Sequence, residues 1–462
     1  MADAKFVEVV NPYDGSVVER VPEADEQTVR AAIGAAEAMR GTMASMTANR
    51  RGAILNQTSR LLEEQTDDIA QLMAKESGKP MRYARGEVGR AVETFMFAAD
   101  EARRMHGETI PLDAAKTGAG KIGYYVRVPV GVIAAITPFN FPLNLVAHKV
   151  APAIAAGCPI VLKPSPLTPL TSLRLAEIMQ EAGLPNGAFS VVVGGADVGR
   201  WLTTDERIAM ITFTGGVPTA EAIAKVAGLR RTTYELGGNA ATIIDADVDL
   251  EDAVKKNVIG GFAYSGQVCI SVQRVYVHRS RYDEFRQRYT EAVQKMVIGD
   301  PLEQSTEFGP MVSDDAAKRV DSWVKEAVQQ GATMLTGGER KDRLVPATVL
   351  ENVTSDMQVM CNEVFGPVVN LLPFDDWDAV LDEVNDSPFG LQAGVFTRSL
   401  AHTMRAIEKL DVGGVIINDV PAFRVDNMPY GGMKKSGIGR EGPRFAIEDM
   451  TALKMVVINA GS

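Results

Sequence analysis

Apolar positions recur at helical spacing through the first hundred residues, then gather into short, nearly unbroken runs after Gly131. Segments 26–33, 51–73 and 87–103 are amphipathic and rich in helix formers, so the chain is predicted to open with helices; Gly78-Lys79-Pro80 ends one of them. Residues 121–131 form an extended, partly polar stretch that suits a protruding hairpin better than a core strand. From 131 to 244, strand-like runs at 132–136, 160–163, 189–193, 210–214 and 232–244 alternate with helix-like runs at 142–156, 169–182, 196–203 and 218–227. Such alternation predicts a parallel sheet with crossover helices, the architecture of a dinucleotide-binding unit. Proline stands in the first turn of three of these helices, where its missing N–H costs nothing.

A second mixed region, 245–435, has helix-like runs at 250–258 and 281–297 and strand-like runs at 275–278 and 413–418. The last strand-like run, 452–458, has few local partners, which suggests pairing with another subunit. Two literal motif matches fail on context. Gly437-Ile438-Gly439-Arg440-Glu441-Gly442 spells a dinucleotide fingerprint, but no strand leads into it. Asp245, Asp247 and Asp249 begin like a calcium loop, yet Leu250 replaces the needed glycine and Lys256 the closing glutamate, so Asp249 is expected to cap a helix.

With 462 residues, 46% hydrophobic and 23% charged, the chain has the composition of an ordinary globular protein of two or three compact units. A net charge of -11 with interspersed signs gives no reason to expect nucleic acid or anionic lipid as a partner. The start, Met1 to Phe6, lacks the regions of a signal peptide, and no run of eighteen apolar residues suggests a membrane span, so a cytoplasmic location is expected. Cys158, Cys269 and Cys361 are too sparse for a disulfide framework, and the four histidines show no metal-ligand spacing; reduced thiols and no metal are expected.

Chemistry concentrates in three places. Gly266-Gln267-Val268-Cys269-Ile270 sets a thiol where a preceding glycine leaves room for a substrate; Glu235-Leu236-Gly237-Gly238 and Thr137-Pro138-Phe139-Asn140-Phe141-Pro142 precede it. Together they suggest covalent catalysis on a carbonyl. With Val161-Leu162-Lys163-Pro164-Ser165, Phe213-Thr214-Gly215, Glu363-Val364-Phe365-Gly366-Pro367 and Pro429-Tyr430-Gly431-Gly432, these ordered motifs resemble the aldehyde dehydrogenase superfamily over nearly the whole chain.

The resemblance implies an α/β fold: a Rossmann-type cofactor domain (1–120 and 131–234), an α/β catalytic domain (235–435), a β oligomerisation arm (121–130 and 451–462) and a return segment (436–450). It implies Cys269 as nucleophile, Asn140 as oxyanion donor beside the Cys269 N–H, and Glu235 as the base for thioester hydrolysis. NAD or NADP would be held by Ile136, Thr137, Pro138, Phe139, Lys163, Ser165, Pro166, Phe213, Thr214, Gly215, Gly216, Leu236, Gly237, Glu363 and Phe365. Relatives that pass the acyl group to coenzyme A typically lack the glutamate at 235, so hydrolysis is favoured over acyl transfer and over a catalytically silent protein of the same fold.

Two departures from the family pattern bear on the nucleotide. Pro166 replaces the glutamate that commonly accepts from the adenosine ribose 2′-hydroxyl, which removes repulsion against a 2′-phosphate. Gly216 replaces the usual serine, and Val217 to Ala220 lack the customary second glycine. Toward the aldehyde, Arg103, His148, Val268, Ile270, Arg424 and Tyr430 are the candidate substrate contacts. Arg103, His148 and Arg424 would form an anion pocket, since guanidinium forks suit carboxylate, phosphate or sulfonate. This pattern resembles the lactaldehyde, phosphonoacetaldehyde and non-phosphorylating glyceraldehyde-3-phosphate dehydrogenase branches, although some phosphonate-specific relatives carry arginine where Val268 stands. A homodimer or homotetramer acting on a small aldehyde is expected.

Overall fold

Helix signals at the start of the chain are honoured, with one unforeseen break. The computed structural model describes residues 5–459, so residues 1–4 of the first expected domain and 460–462 of the expected arm lie outside it. A hairpin, β1 (Phe6–Val10) and β2 (Val17–Pro22), leads into α1 (Glu26–Ser45), α2 (Ala48–Glu64), α3 (Thr66–Ser77) and α4 (Met81–Arg104). Asp25 and Thr47 start α1 and α2 by accepting from the Thr28 and Arg50 amides, which satisfies otherwise orphaned donors. The single run predicted over 51–73 is two helices that separate at Gln65 (φ -107°, ψ 19°), with no glycine or proline to mark the place. Helix α4 buries Ala84, Val88, Ala91, Phe95 and Ala98, and is followed by β3 (Thr109–Ile110) and β4 (Lys121–Pro129).

Next come β5 (Val132–Ile136), α5 (Asn144–Ala156), β6 (Ile160–Lys163), α6 (Leu170–Glu181), β7 (Phe189–Val191), α7 (Ala196–Thr204), β8 (Ile208–Thr214), α8 (Val217–Ala227) and β9 (Arg231–Glu235). The five strands lie parallel in the order β9-β8-β5-β6-β7, so the chain winds outward in both directions from β5. Ligands of such sheets sit at the carboxyl ends of the strands, where the winding reverses. Ile136, Lys163, Thr214 and Glu235 all end strands at that edge.

The run expected as one strand over 232–244 belongs to two sheets. After β9, Leu236 to Asn239 cross to β10 (Ala240–Ile244). The crossing demands glycine: a Cβ on Gly237 would stand 2.2 Å from a Glu363 carboxylate oxygen, and one on Gly238 would stand 2.5 Å from the Cys269 carbonyl.

The chain then runs through β10, α9 (Leu250–Phe262), β11 (Val272–His278), α10 (Arg279–Gln294), α11 (Asp314–Gln329), β12 (Thr333–Thr336), β13 (Thr348–Glu351), α12 (Gln358–Cys361), β14 (Val368–Phe374), α13 (Trp377–Asn385), β15 (Phe389–Gly390), β16 (Gln392–Phe396), α14 (Leu400–Lys409) and β17 (Gly414–Ile417), and every one of these strands except β15 joins the second sheet. Its order is β12-β13-β14-β11-β10-β16-β17. Asp249 caps α9 by accepting from the Glu251 amide, while Asp245 accepts from Thr397.

The chain returns through β18 (Met433–Lys434), β19 (Gly437–Ile438), α15 (Pro443–Asp449) and β20 (Thr451–Asn459). Strand β19 pairs antiparallel with β9, placing Gly437 opposite Glu235, so the glycine-rich stretch edges the first sheet. Strand β20 pairs antiparallel along β4 of its own chain, from Thr451 opposite Pro129 to Asn459 opposite Lys121. Strand β20 thus has a partner in its own chain on one side, and it forms the edge of the three-stranded sheet β20-β4-β3.

Candidate active site

The segment before the thiol is bent by three successive left-handed residues, Tyr264 (φ 50°), Ser265 (φ 56°) and Gly266 (φ 68°). Non-glycine residues enter this region at a cost, which the surroundings must offset. The Tyr264 hydroxyl donates to the Ser77 carbonyl (2.8 Å) and the Ser265 hydroxyl to that of Gly309 (2.7 Å). At Gly266 a Cβ would lie 2.2 Å from the Gly366 carbonyl oxygen, so only glycine fits. The bend delivers Cys269 to the wall of a cavity of about 230 Å³, shared with Phe139, Asn140, Thr214, Gly215, Gly216, Glu235, Leu236, Gly237, Glu363 and Phe365.

Around the sulfur, opposing fields meet. Burial pushes the Cys269 thiol up to about 11; a hydrogen bond with Tyr430 and the Arg424 cation pull it down, while Glu363 and Glu235 oppose them. Asn140 is buried, and its amide nitrogen donates one hydrogen to the Gln267 carbonyl (3.0 Å), two residues before the thiol. The other amide hydrogen has no partner among the described residues. A buried pair, Lys79 and Glu87, braces this loop: Lys79 donates to the Asn140 carbonyl (2.7 Å), and Glu87 accepts from the Leu143 (2.9 Å) and Asn144 (3.0 Å) amides.

Glu235 is buried with both carboxylate oxygens unpartnered among the described residues. Its burial, then the neighbouring Glu441, raises its pKa well above the ordinary carboxylate range. Glu441, by contrast, is held ionised against its burial by Lys149 (3.0 Å) and Arg424 (3.1 Å). Two buried carboxylates side by side thus have their pKa values driven apart, that of Glu235 upward and that of Glu441 downward.

The carboxyl edge of the first sheet suits a dinucleotide. Thr137 and Thr214 carry buried hydroxyls without partners among the described residues, and Gly216, with only Pro218 near where a Cβ would stand, precedes α8. Among the described residues Lys163 donates only to the Pro164 and Gly194 carbonyls (3.0 Å each), and burial lowers its pKa to about 8. Ile136 and Lys163 lie together against Gly199 of α7. At the other end, burial raises Glu363 to about 7 while it accepts from the Gly238 amide (3.0 Å). Phe139 and Phe365 meet edge to face at 5.8 Å, with Phe365 in the left-handed region (φ 46°). Ser165 accepts from the Leu167 amide, Pro166 is half-buried beside it, and Phe213 is buried with its ring over Gly215.

Of the residues expected at the aldehyde, His148 and Arg424 are buried beside the thiol's neighbours. The His148 Nε2 pairs with Asp426 (2.8 Å), and its burial, then Arg424, lowers its pKa, so the ring is neutral. Arg424 lies 3.7 Å over the Tyr430 ring, and Ile270 packs with Tyr430 and Leu391, Val268 alongside. Arg103 is elsewhere: it is exposed at the end of α4, where its guanidinium covers Gly52 of α2 and donates to the Ala99 carbonyl. The arginine on the inner side of α4 is Arg90, which the sequence patterns did not single out. It forks onto Asp426 (3.0 and 2.7 Å) and stays partly exposed beside Phe141.

A thiol set between an amide donor and a buried acid, beside a dinucleotide edge, marks an oxidoreductase that works on aldehydes. The aldehyde dehydrogenase family model matches residues 1–456, and the chain belongs to that family of NAD(P)-dependent enzymes. It is 45% identical to a 3-sulfolactaldehyde dehydrogenase of Priestia megaterium over 99% of this chain and 95% of that protein. Among solved structures, aldehyde dehydrogenase 21 from Physcomitrella patens, in complex with the reaction product succinate, superposes with a TM-score of 0.97 at 44% identity, covering 100% of this chain and 97% of that one. Glyceraldehyde-3-phosphate dehydrogenase GapN from Methanocaldococcus jannaschii, complexed with NADP, follows at 0.95 and 36%, covering 99% and 100%.

Proposed function

We propose that this enzyme oxidises a small, anionic aldehyde to the carboxylic acid, with Cys269 as nucleophile and Glu235 as hydrolytic base. The observation that carries the substrate class is a charge imbalance. Arg90, Arg424 and Lys149 are three cations paired with two carboxylates, Asp426 and Glu441, while the neighbouring Glu235 has its pKa raised well above the carboxylate range and that of His148 is lowered. An anionic substrate group supplies the missing charge, and the buried, unpartnered Nε of Arg424 is a donor for it. A sulfonated aldehyde for one relative and a dicarboxylate product for another support this class.

In the proposed sequence the Cys269 sulfur adds to the aldehyde carbon, and Asn140 and the Cys269 N–H donate to the oxygen as it becomes anionic. Bound nicotinamide supplies the acceptor for the hydride that leaves as the thioester forms. Lys163, Thr137 and Thr214 would hold the nucleotide and Glu363 its nicotinamide end. Glu235, freed of its proton, then takes one from the water that attacks the thioester, and the acid departs. The unpartnered Glu235 carboxylate gives that water a base, which favours hydrolysis over transfer to coenzyme A.

Initial rates with succinic semialdehyde, glyceraldehyde-3-phosphate, phosphonoacetaldehyde, lactaldehyde and a neutral long-chain aldehyde, each with NAD and NADP, test this directly. Higher kcat/KM for the anionic aldehydes is expected; preference for the neutral long-chain compound would overturn it. With Pro166 in place of an acidic residue, NADP is expected to serve alongside NAD. A homodimer or homotetramer is supported by the apolar outer face of β20, where Leu453, Met455 and Val457 are exposed. Three free thiols accord with a cytoplasmic location.

A further inference from the structure

The Tyr430 hydroxyl stands 3.0 Å from the Cys269 sulfur. Its ring is buried in an apolar cluster with Ile270 and Leu391. One residue fixes the whole arrangement. The Glu441 backbone exchanges both hydrogen bonds with Tyr430 (3.1 and 2.6 Å), while its side chain anchors Arg424 (3.1 Å), whose guanidinium lies 3.7 Å over the Tyr430 ring. The phenol is therefore held in place and polarised by a cation on its face, which strengthens the hydroxyl as a donor.

We propose that Tyr430 is a positioning residue for the nucleophile: its hydroxyl donates to the Cys269 thiolate, aims the sulfur at the substrate and lowers the pH at which the thiol ionises. In the neutral thiol the S–H donates to the phenolic oxygen; once that proton has passed to water, the hydroxyl turns and donates to the sulfur anion. A charge-assisted bond is stronger than a neutral one, so the contact favours ionisation. The other charged groups acting on the sulfur are Arg424, which assists, and Glu235 and Glu363, which oppose. Against two carboxylates and deep burial, the hydroxyl is the one direct hydrogen-bond partner of the sulfur among the described residues.

The role rests on Cys269 being the nucleophile, so the test reads the thiol itself and not turnover. Iodoacetamide alkylation of Cys269, followed by peptide mass against pH, is compared between the native enzyme and Tyr430→Phe, which keeps the ring under Arg424. The midpoint is expected to rise by about one pH unit, a tenfold loss of thiolate at a fixed lower pH. The pH profile of the first turnover should move with it while the KM for cofactor stays unchanged. An unchanged midpoint in a variant with native circular dichroism overturns the role. If Tyr430→Phe does not fold, 3-fluorotyrosine at position 430, a more acidic phenol of nearly the same shape, decides: the midpoint falls if the hydroxyl donates to the thiolate, and stays put if it does not. Loss of activity in Cys269→Ala tests the nucleophile separately, because an active Cys269→Ala would remove the proposed mechanism without touching the alkylation result.

Discussion

At the scale of single residues, the site works by setting ionisable groups against their surroundings. Burial and Glu441 raise the pKa of Glu235 well above the ordinary carboxylate range, whereas its proposed task requires the carboxylate. The sign follows: hydrolysis of the thioester should speed up as pH rises through the raised pKa of Glu235, and slow by about tenfold per pH unit below it. Single-turnover release of acid against pH checks this, and a flat profile between pH 5 and 8 would contradict it. The role proposed for Asn140 is different, that of a donor already fixed by the Gln267 carbonyl. Asn140→Ala should lower kcat by a hundred- to thousandfold, about 3–4 kcal/mol, with cofactor affinity unchanged. Cys269, Asn140 and Glu235, the proposed nucleophile, donor and base, were all singled out from short motifs, and the glycines Gly266, Gly237 and Gly238 beside the thiol and the carboxylate must be small for backbones and side chains to pass. Arg90 was not. It lies thirteen residues before Arg103 on α4, about 220° around the helix, so sequence spacing alone does not reveal which face turns inward.

Elements hold these residues in register. Helix α4 supports the site twice, through Glu87 beneath the Asn140 loop and through Arg90 on Asp426, the residue that also binds His148 and Asn144. Glu87→Gln leaves the Lys79 ammonium buried without its counter-ion. It is expected to destabilise the protein by about 3–5 kcal/mol in denaturant unfolding and to reduce kcat as the Asn140 loop loosens. Full stability in that variant would show that the brace carries no load. Strands β5 and β6 coincide with the predicted runs because both are continuous apolar stretches buried on two faces. The single run over 232–244 misleads for the same reason, since both halves are strand-like and the two glycines between them look like a bulge.

For the molecule as a whole, the two sheets meet at Leu236 to Asn239, so one short crossing links the carboxyl edge of the first sheet to Cys269. The alternation of strand and helix made this class of fold legible. The pairing of β20 with β4 was not, because partners at opposite ends of a chain leave no local signal. Strand β20 turns Leu453, Met455 and Val457 outward on one face, as the two-residue period requires. Replacing Leu453 and Val457 with aspartate should shift sedimentation toward the monomer without unfolding the chain; an unchanged sedimentation coefficient would place the subunit contact elsewhere.

The central chemistry is most directly tested by intact-protein mass spectrometry of Glu235→Gln after mixing with an anionic aldehyde and oxidised cofactor. The expected result is one reduced cofactor per active site, an acyl group retained on Cys269 and almost no further turnover. A normal steady-state rate with no adduct on Cys269 would contradict it.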